Sequence, residues 1–309
     1  MGGKVFVIAG PTASGKTALS IALAHAAGGE IVSADSMQIY RGMDIGTAKA
    51  TAEERAAVPH HMLDVADPGE NCSVAWYVEK ASCCCDDILS RSLVPLITGG
   101  TGLYIDSLLS GRSFAESGDP VLRAALNEEY DRFGGEAMLT RLRSSDPLRA
   151  EKLAPTDRRR IVRALEIYEL TGMTITEHDE YTRSLPPRYE AVRIVLGFTD
   201  RAVLYDRIDR RVDRMMAEGL LDEVRRLMAC GIDPQSTAMQ AIGYKESAMY
   251  LKGQLSYEEA VALIKQASRR YAKRQMTWFR RWTDAVFIDR GADADVSADM
   301  ELLRKKRII

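Results

Sequence analysis

Apolar positions follow two alternating patterns along the chain: short continuous runs and longer stripes with a helical period. The runs predict buried strands over residues 4–9, 30–33, 93–98, 192–198 and 285–289. The segments between them repeat apolar residues at helical spacing. This alternation predicts an α/β fold with a parallel sheet flanked by helices.

The strand pattern stops between residues 112 and 193. Helical segments over residues 120–133, 135–144 and 157–170 follow one another there, separated by glycine and proline breaks. We therefore predict an all-helical insertion domain over residues 113–193, within a core formed by residues 1–112 and 194–309. Two long helices are predicted after the insertion, over residues 200–230 and 256–282, and Ser256 with Glu259 forms a capping box for the second.

A glycine-rich loop joins the first predicted strand to the first helix. It reads Gly10, Pro11, Thr12, Ala13, Ser14, Gly15, Lys16 and Thr17. Such a loop turns backbone N–H groups toward an anion, and the helix N-terminus adds its positive dipole end. Lys16 reaches phosphoryl oxygens, and the Thr17 hydroxyl is placed to bind Mg²⁺. The pattern predicts a core like that of P-loop NTPases, with the ATP-binding type of motif, but does not specify the reaction.

Two further motifs follow predicted strands, and the first, at Asp35, should face the same crevice because ligands bind beyond the carboxyl ends of parallel strands. Asp35 follows the second strand, and its carboxylate has three possible roles: binding Mg²⁺, accepting a proton or capping a helix. Residues 98–104, Thr-Gly-Gly-Thr-Gly-Leu-Tyr, follow another strand. The usual ATPase has an acidic residue there, so the glycines argue against an ATPase. They indicate either a substrate contact or a tight turn.

Basic residues cluster locally although the net charge is only −2. Residues 265–283 contain many cations and no acidic residue. Like-charged neighbours four positions apart destabilise a helix, which favours an anionic partner such as a diphosphate or a nucleic acid. Residues 158–163 place cations at a predicted helix start, where the dipole disfavours them. The alternative is a solvated face balanced by Glu166 and Glu169. The aromatic residues of the last long helix are interpreted as mostly core-facing.

Other features limit the classes of protein. The sequence Asp209-Arg210-Arg211 either turns an arginine toward the phosphate crevice or forms a surface ion pair. His60 and His61 would point to opposite faces of a strand, so we expect no transition metal. No apolar run approaches the roughly 20 residues that a membrane helix needs. The five cysteines form no disulfide framework. We expect a cytoplasmic protein with no membrane partner.

Taken together, the motifs resemble the bacterial tRNA dimethylallyltransferases over nearly the whole chain. The resemblance is carried by residues 10–17, 33–49, 59–61, 98–104, 159–166, 240–245 and 272–280. It implies that the glycine-rich loop and Arg211 bind dimethylallyl diphosphate, with Mg²⁺ held through Thr17. It also implies that N6 of the adenosine immediately 3′ of the tRNA anticodon attacks the donor, that Asp35 receives its proton, and that pyrophosphate leaves.

The same resemblance assigns contacts with the anticodon stem-loop. The matching positions are Asp35, Ser36, Met37, Gln38, Thr101, Arg123, Arg159, Arg160, Ile161, Val162, Arg163, Gln240, Ala241, Ile242, Gly243, Tyr244 and Lys245. The catalytic set would be Asp35, Lys16, Thr17 and Arg211, in a monomer. Three alternatives remain: an adenylate isopentenyltransferase, a small-molecule kinase of the P-loop class and a non-catalytic RNA-binding module. The first would not need a basic insertion, and the last leaves Lys16 and Asp35 without a purpose.

Overall fold

The computed structural model describes residues 3–111, 118–291 and 295–309. Within these residues six strands form one sheet, and every neighbouring pair is parallel. The strands are β1 (Lys4–Ala9), β2 (Gly29–Ser33), β3 (His60–His61), β4 (Val94–Gly99), β5 (Glu190–Gly197) and β6 (Val286–Asp289). Their order across the sheet is β3-β2-β4-β1-β5-β6. The predicted α/β class is confirmed.

Helices surround this sheet. In chain order those of the sheet region are α1 (Lys16–Ala27), α2 (Ala52–Ala57), α3 (Val74–Ser90) and α4 (Gly102–Leu109). The intervening helices are α5 (Pro120–Ser145), α6 (Pro147–Ala150), α7 (Arg158–Thr171) and α8 (Ile175–Ser184). After β5 come α9 (Arg201–Ala217), α10 (Leu220–Ala229), α11 (Tyr244–Leu251), α12 (Tyr257–Phe279) and α13 (Val296–Lys305).

The central strands position the loops that carry the sequence motifs. β1 lies between β4 and β5, with Ile8 opposite Thr98 on one side and Ile194 on the other. The Ala34 amide donates to the Thr98 carbonyl at 2.7 Å, so the chain leaving β2 follows the end of β4. Because all strands run the same way, the segments after β1, β2 and β4 meet at one edge of the sheet.

The described chain separates into two compact units. Unit 1 contains Met1–Leu109 and Tyr189–Ile309, and unit 2 contains Ser110–Arg188. Unit 2 has its own apolar core of buried residues from α5, α6 and α7. The Asp146 carboxylate accepts from the Thr176 amide at 3.0 Å and the Thr176 hydroxyl at 2.6 Å, which ties α8 to the rest of unit 2.

Several predicted boundaries need correction. The predicted limit between residues 112 and 113 falls outside the described residues, and the limit at 193 is too late because β5 already begins at Glu190. The apolar runs did not include the two-residue strand β3, since two histidines carry no apolar pattern, although the histidine pair was considered as part of a strand. The predicted helix over 200–230 is two helices, because Gly219 adopts φ 98° between α9 and α10. None of the described helices is long and apolar enough to cross a membrane.

Candidate active site

The glycine-rich loop leaves β1 after Ala9, and α1 begins at Lys16. Gly15, at the helix N-terminus, has φ 85°, a conformation that favours glycine because it lacks a Cβ. Gly10 packs so tightly that an added Cβ would lie 2.6 Å from the Leu196 carbonyl oxygen. The Lys16 ammonium folds back on the loop and donates to the carbonyls of Gly10 (3.1 Å) and Pro11 (2.8 Å). Lys16 is therefore held at the loop, where an anion would meet it.

The loop forms one wall of a cavity of about 420 Å³ in unit 1. The predicted site residues that line this cavity are Thr12, Ala13, Ser14, Gly15, Lys16, Thr17, Asp35, Ser36, Met37, Gln38, Arg211, Gln240, Ala241, Ile242, Gly243 and Tyr244. A second part of the wall is apolar and comes from Ile208, Val212, Met215 and Ile264. The cavity thus joins a cationic phosphate loop to an apolar surface.

Lys16, Arg211 and Asp35 interact electrostatically within this cavity. Burial lowers the pKa of Lys16 to about 8; Arg211 also lowers it, and Asp35 opposes the change. Burial similarly lowers the pKa of Arg211, again against the effect of Asp35. The charges of Lys16 and Arg211 are therefore both stabilised by the Asp35 carboxylate in a confined space. An anionic ligand would stabilise both charged forms.

Arg211 and its neighbour Arg210 have different environments, which separates the two roles considered for this segment. Arg210 pairs with Asp206 on the surface, four residues earlier in α9. Arg211 lines the cavity and donates from Nη2 to the Thr47 carbonyl at 3.3 Å. The surface ion pair belongs to Arg210, whereas Arg211 lines the cavity that the phosphate loop borders.

Asp35 caps the turn that follows β2. Its Oδ1 accepts from the amides of Met37 (2.9 Å) and Gln38 (3.4 Å). Within the described part of the chain, no hydrogen bond to Oδ2 is found. The helix-capping role considered for this residue is wrong, because the next helix after β2 is α2; Asp35 caps a turn instead, and this uses one oxygen. The other oxygen stays available to a ligand in the cavity.

The glycines after β4 allow close packing, whereas Thr101 braces the Asp35 segment. A Cβ at Gly99 would lie 2.1 Å from the Ala34 carbonyl oxygen, so the tight-turn interpretation holds for this residue. Thr101 Oγ1 accepts from the Ser36 amide at 3.1 Å, and the Thr101 amide donates to the Ala34 carbonyl at 3.1 Å. Thr101 therefore fixes the backbone on both sides of Asp35.

Sequence reasoning missed two side chains that α12 contributes to the site. Gln275 is buried; its Oε1 accepts from the Thr12 amide, and its Nε2 donates to the Gly100 carbonyl, both at 3.0 Å. Tyr271 lines the cavity and interacts with Thr101 and Gln275. Burial, and then the charge of Asp35, raises the pKa of Tyr271 to about 12. The available signal was a glutamine inside an otherwise apolar stripe, one turn after a tyrosine.

The segment 240–245 has mixed accessibility. Gln240 and Lys245 are exposed, and Gly243 adopts φ 96° before α11. The Tyr244 side chain, however, is 0% exposed and donates to the Glu223 carboxylate at 2.6 Å. Tyr244 therefore cannot contact RNA with its side chain in this conformation, because its ring is packed in the core. Its structural role is to support the cavity wall.

The basic cluster of unit 2 is only partly neutralised. Ile161 and Val162 are buried in the core of the unit, so their side chains are not available for the predicted tRNA contact. Arg163 and Arg123 share the fully buried carboxylate of Glu166, with N–O distances of 2.8 Å and 2.9 Å respectively. Their neighbours Arg159 and Arg160 are exposed. Arg160 lies 3.9 Å from Asp157, and no ion pair of Arg159 is found among the described residues.

The basic residues of α12 divide between two faces. On one face, facing α9, Lys265 pairs with Asp213 at 2.6 Å and Arg269 pairs with Asp209. The opposite face forms a shallow groove whose lining is Arg270, Lys273, Arg274, Thr277, Trp278 and Arg281. The Arg281 guanidinium lies 4.1 Å from the centre of the Trp278 ring. This second face presents the unbalanced positive charge that the sequence indicated.

The two adjacent histidines have separate partners. His60 Nδ1 lies 2.7 Å from the Val58 carbonyl oxygen, and His61 Nε2 lies 2.7 Å from a Glu30 carboxylate oxygen. Within the described residues, no group of three or more histidine, cysteine or acidic side chains could hold a metal ion.

Comparisons with known proteins identify the family to which this chain is similar. The sequence matches the family model described as IPP transferase over residues 38–282 and that described as Isopentenyl transferase over residues 3–64. The tRNA dimethylallyltransferase of Symbiobacterium thermophilum is 49% identical over 300 residues, covering 96% of this chain and 93% of the relative. The tRNA dimethylallyltransferase 1 of Pelobacter propionicus is 48% identical over 286 residues, covering 93% and 92%.

Two solved structures have the same fold. The full-length tRNA isopentenylpyrophosphate transferase of Bacillus halodurans is 41% identical with a TM-score of 0.71, covering 98% of this chain and 96% of that chain. A eukaryotic dimethylallyltransferase acting on tRNA is 29% identical with a TM-score of 0.81, covering 99% of this chain and 78% of that chain.

Proposed function

Because the chain belongs to the IPP transferase family, we propose that it transfers the dimethylallyl group from dimethylallyl diphosphate to N6 of an adenosine in tRNA. The sequence resemblance to tRNA dimethylallyltransferases agrees with the relatives' names. The observation that carries the proposal is the cavity in which Lys16, Arg211 and Asp35 meet beside an apolar wall. A diphosphate with a short prenyl chain matches both halves of that cavity.

In this proposal the donor's diphosphate binds the loop of residues 10–17. Allylic C–O cleavage leaves negative charge on the departing pyrophosphate, and fixed cations stabilise that charge in the transition state. Lys16 and Arg211 are two of the cations at the cavity wall, which also includes Arg274, and their confinement strengthens the interaction. The prenyl carbons lie against the apolar residues of α9, whose Ile208 and Val212 flank Arg211 in sequence.

Asp35 is the proton acceptor for the attacking amine. The adenine N6 forms the new bond to the allylic carbon as the C–O bond to pyrophosphate breaks, and N6 then gives up a proton. The Oδ1 atom is occupied by the turn amides, so Oδ2 takes that proton. Gln38, whose side-chain oxygen accepts from the Ser33 hydroxyl at 3.0 Å, lies beside it and contacts the base.

The residues of the loop fit a bound Mg²⁺. Thr17 lines the cavity and offers a hydroxyl oxygen, the type of ligand that Mg²⁺ prefers. Mg²⁺ usually retains waters and binds substrate phosphates, so it does not require a cluster of acidic side chains. Thr17, at the start of α1, would hold the ion, which would neutralise diphosphate charge when bound. We propose Mg²⁺ for this reason.

The RNA is the anticodon stem-loop, and the acceptor is the adenosine immediately 3′ of the anticodon. A base stacked in that loop cannot enter a cavity in the protein, so it must leave the stack. Arg159 and Arg160 of unit 2, with Arg123 and Arg163, bind the RNA backbone. The groove face of α12, with Trp278 and its arginines, is a second contact surface. A cytoplasmic monomer remains the prediction from the sequence.

The test offers labelled dimethylallyl diphosphate to the wild-type chain with tRNA, AMP or ADP in parallel reactions. A second set offers labelled ATP with small hydroxyl acceptors. We expect label on tRNA and on no other acceptor. Label on AMP or ADP would instead identify an adenylate isopentenyltransferase, and phosphoryl transfer from ATP would identify a kinase.

A further inference from the structure

Glu223 of α10 is a buried carboxylate that lies outside the lining of the cavity. It is 2% exposed, and both of its oxygens accept hydrogen bonds. The donors are the amides of Asp44 (2.9 Å), Ile45 (2.9 Å) and Gly46 (3.2 Å) and the hydroxyl of Tyr244 (2.6 Å). A buried carboxylate is costly unless such bonds compensate for lost water. Glu223 therefore joins three successive backbone amides to α10.

These amides belong to a loop, residues 44–48, in which the carbonyl groups of Thr47 and Ala48 contact side chains of the site. The Thr47 carbonyl accepts from Arg211 Nη2 at 3.3 Å and from Gln38 Nε2 at 3.3 Å. The Ala48 carbonyl also accepts from Gln38 Nε2, at 3.3 Å. One short loop thus orients both the arginine at the phosphate end and the amide beside Asp35.

The loop conformation depends on neighbours from outside it. Ala48 has φ 45°, in the left-handed region that a residue with a Cβ seldom adopts. Gly46 packs so close to the Tyr244 ring that an added Cβ would lie 2.4 Å from it. Such a loop needs partners that fix its backbone, and Glu223 supplies hydrogen bonds to three consecutive residues of it.

We propose that Glu223 is a positioning residue for prenyl transfer. By holding the 44–48 loop, it keeps the Thr47 carbonyl where it orients the Arg211 guanidinium toward the diphosphate. Glu223 touches no ligand in this arrangement, and its effect passes through the loop. The proposal rests on the proposed function for the identity of the diphosphate, but the positioning itself concerns any pyrophosphate group bound at the loop.

A double-mutant cycle with inorganic pyrophosphate tests this coupling. Binding in magnesium buffer is measured by calorimetry for wild type, Glu223→Gln, Arg211→Ala and the double variant. We expect Glu223→Gln to weaken binding roughly 10-fold in the wild-type background but less than about twofold when Arg211 is already absent. The Glu223→Gln substitution keeps the shape of the side chain but places its amide N–H groups against the backbone N–H groups of the 44–48 loop. The loop then loses hydrogen bonds that hold it in place.

The matched control is Glu30→Gln, which changes another buried carboxylate, in β2, that contacts Arg91 and not the 44–48 loop. Its effect on pyrophosphate binding should be small and the same in both backgrounds. If Glu223→Gln weakens binding equally with and without Arg211, or not at all, the positioning role is wrong. If that variant does not fold, Tyr244→Phe removes one of the four donors, and the same cycle should give a roughly threefold coupled loss.

Kinetics separate this proposal from the function on which it rests. In Glu223→Gln we expect a lower kcat and a raised KM for dimethylallyl diphosphate, with the Kd for tRNA unchanged. A general loss of structure would weaken tRNA binding as well. Failure of the wild-type chain to prenylate tRNA would overturn the proposed function alone, because the pyrophosphate cycle does not depend on it.

Discussion

At the scale of single residues, the two oxygens of Asp35 have separate roles. Oδ1 accepts from the turn amides of Met37 and Gln38, and we propose that Oδ2 takes the proton of the acceptor amine. Asp35→Asn keeps an oxygen for the turn but removes the basic group. We expect single-turnover prenylation of tRNA to fall by about 10²-fold or more. Calorimetry should still detect pyrophosphate binding, and an unchanged rate would remove Asp35 from the mechanism.

The pKa of Lys16 leads to a pH prediction. Because burial and Arg211 lower this pKa to about 8, the free protein loses the Lys16 charge as the pH rises through that value. A bound diphosphate favours the protonated form, so affinity should be high below about pH 8 and fall above it. Between about pH 7 and about pH 9 the loss should approach 10-fold, measured by calorimetry with pyrophosphate.

Lys16→Arg provides the matched control, since a guanidinium stays protonated over this range. The ligand's own titration affects both proteins equally, so the ratio of their dissociation constants isolates Lys16. A ratio that does not change with pH would show that Lys16 is not the group responsible.

Local sequence was sufficient for some site residues and insufficient for others. The phosphate loop and Asp35 were predictable because each follows its own strand directly, and parallel strands end at one edge. Gln275 and Glu223 were not, because their partners lie 263 and 179 residues away in the sequence. Only the packing of α12 and α10 against the loops brings them there. Tyr244 is the opposite case: it belongs to a motif that the sequence showed, but its side chain is buried and so cannot make the predicted RNA contact.

At the scale of the element, the exposed arginines at the start of α7 give the clearest prediction. Arg159 and Arg160 lie where no strong ion pair competes for them among the described residues. If they bind RNA phosphates, Arg159→Gln with Arg160→Gln should weaken tRNA binding. The slope of log K against log salt should become shallower by about one unit for each arginine–phosphate pair that the substitutions remove. Filter binding over a range of salt concentrations measures this slope.

Arg141→Gln is the control within the same unit, because Arg141 is already paired with Glu129 and Glu169. Its removal should leave the salt slope unchanged. The α7 arginines would be an ordinary solvated face if their double variant behaved like this control.

Helix boundaries were harder to predict than helix existence. The predicted single helix over 200–230 contains one glycine that a helix could tolerate at moderate cost. In the structure Gly219 takes a left-handed conformation, and its amide and carbonyl end α9 and begin α10. This break lets α10 turn so that Glu223 reaches the 44–48 loop. Gly219 was visible in the sequence, but the direction in which the chain turns there could not be predicted from it.

At the scale of the whole molecule, one buried carboxylate connects the edge of the sheet to the end of α3. Glu30 in β2 accepts from the Arg91 guanidinium at 2.6 Å and 2.8 Å and contacts His61 in β3. The Arg91 hydrogen bonds outweigh burial and lower the pKa of Glu30 to about 2. Since the pKa of the same carboxyl is about 4.3 in an unfolded chain, ionised Glu30 favours the folded state.

The sign of the pH effect follows from this depressed pKa. The stabilisation is fully present above the unfolded pKa and is lost as the pH falls through the folded value, over a window from about pH 5 to about pH 2. Glu30→Gln should lower the free energy of unfolding by about 2 kcal/mol at neutral pH, since partial exposure of Arg91 screens the pair. It should also flatten the pH dependence in that window, as measured by urea unfolding.

The control variant Asp87→Asn removes an exposed partner of the same arginine and should lower the free energy of unfolding by less than about 1 kcal/mol. Equal losses from the two variants would mean that burial adds nothing at Glu30, and that the sheet edge does not depend on this charge.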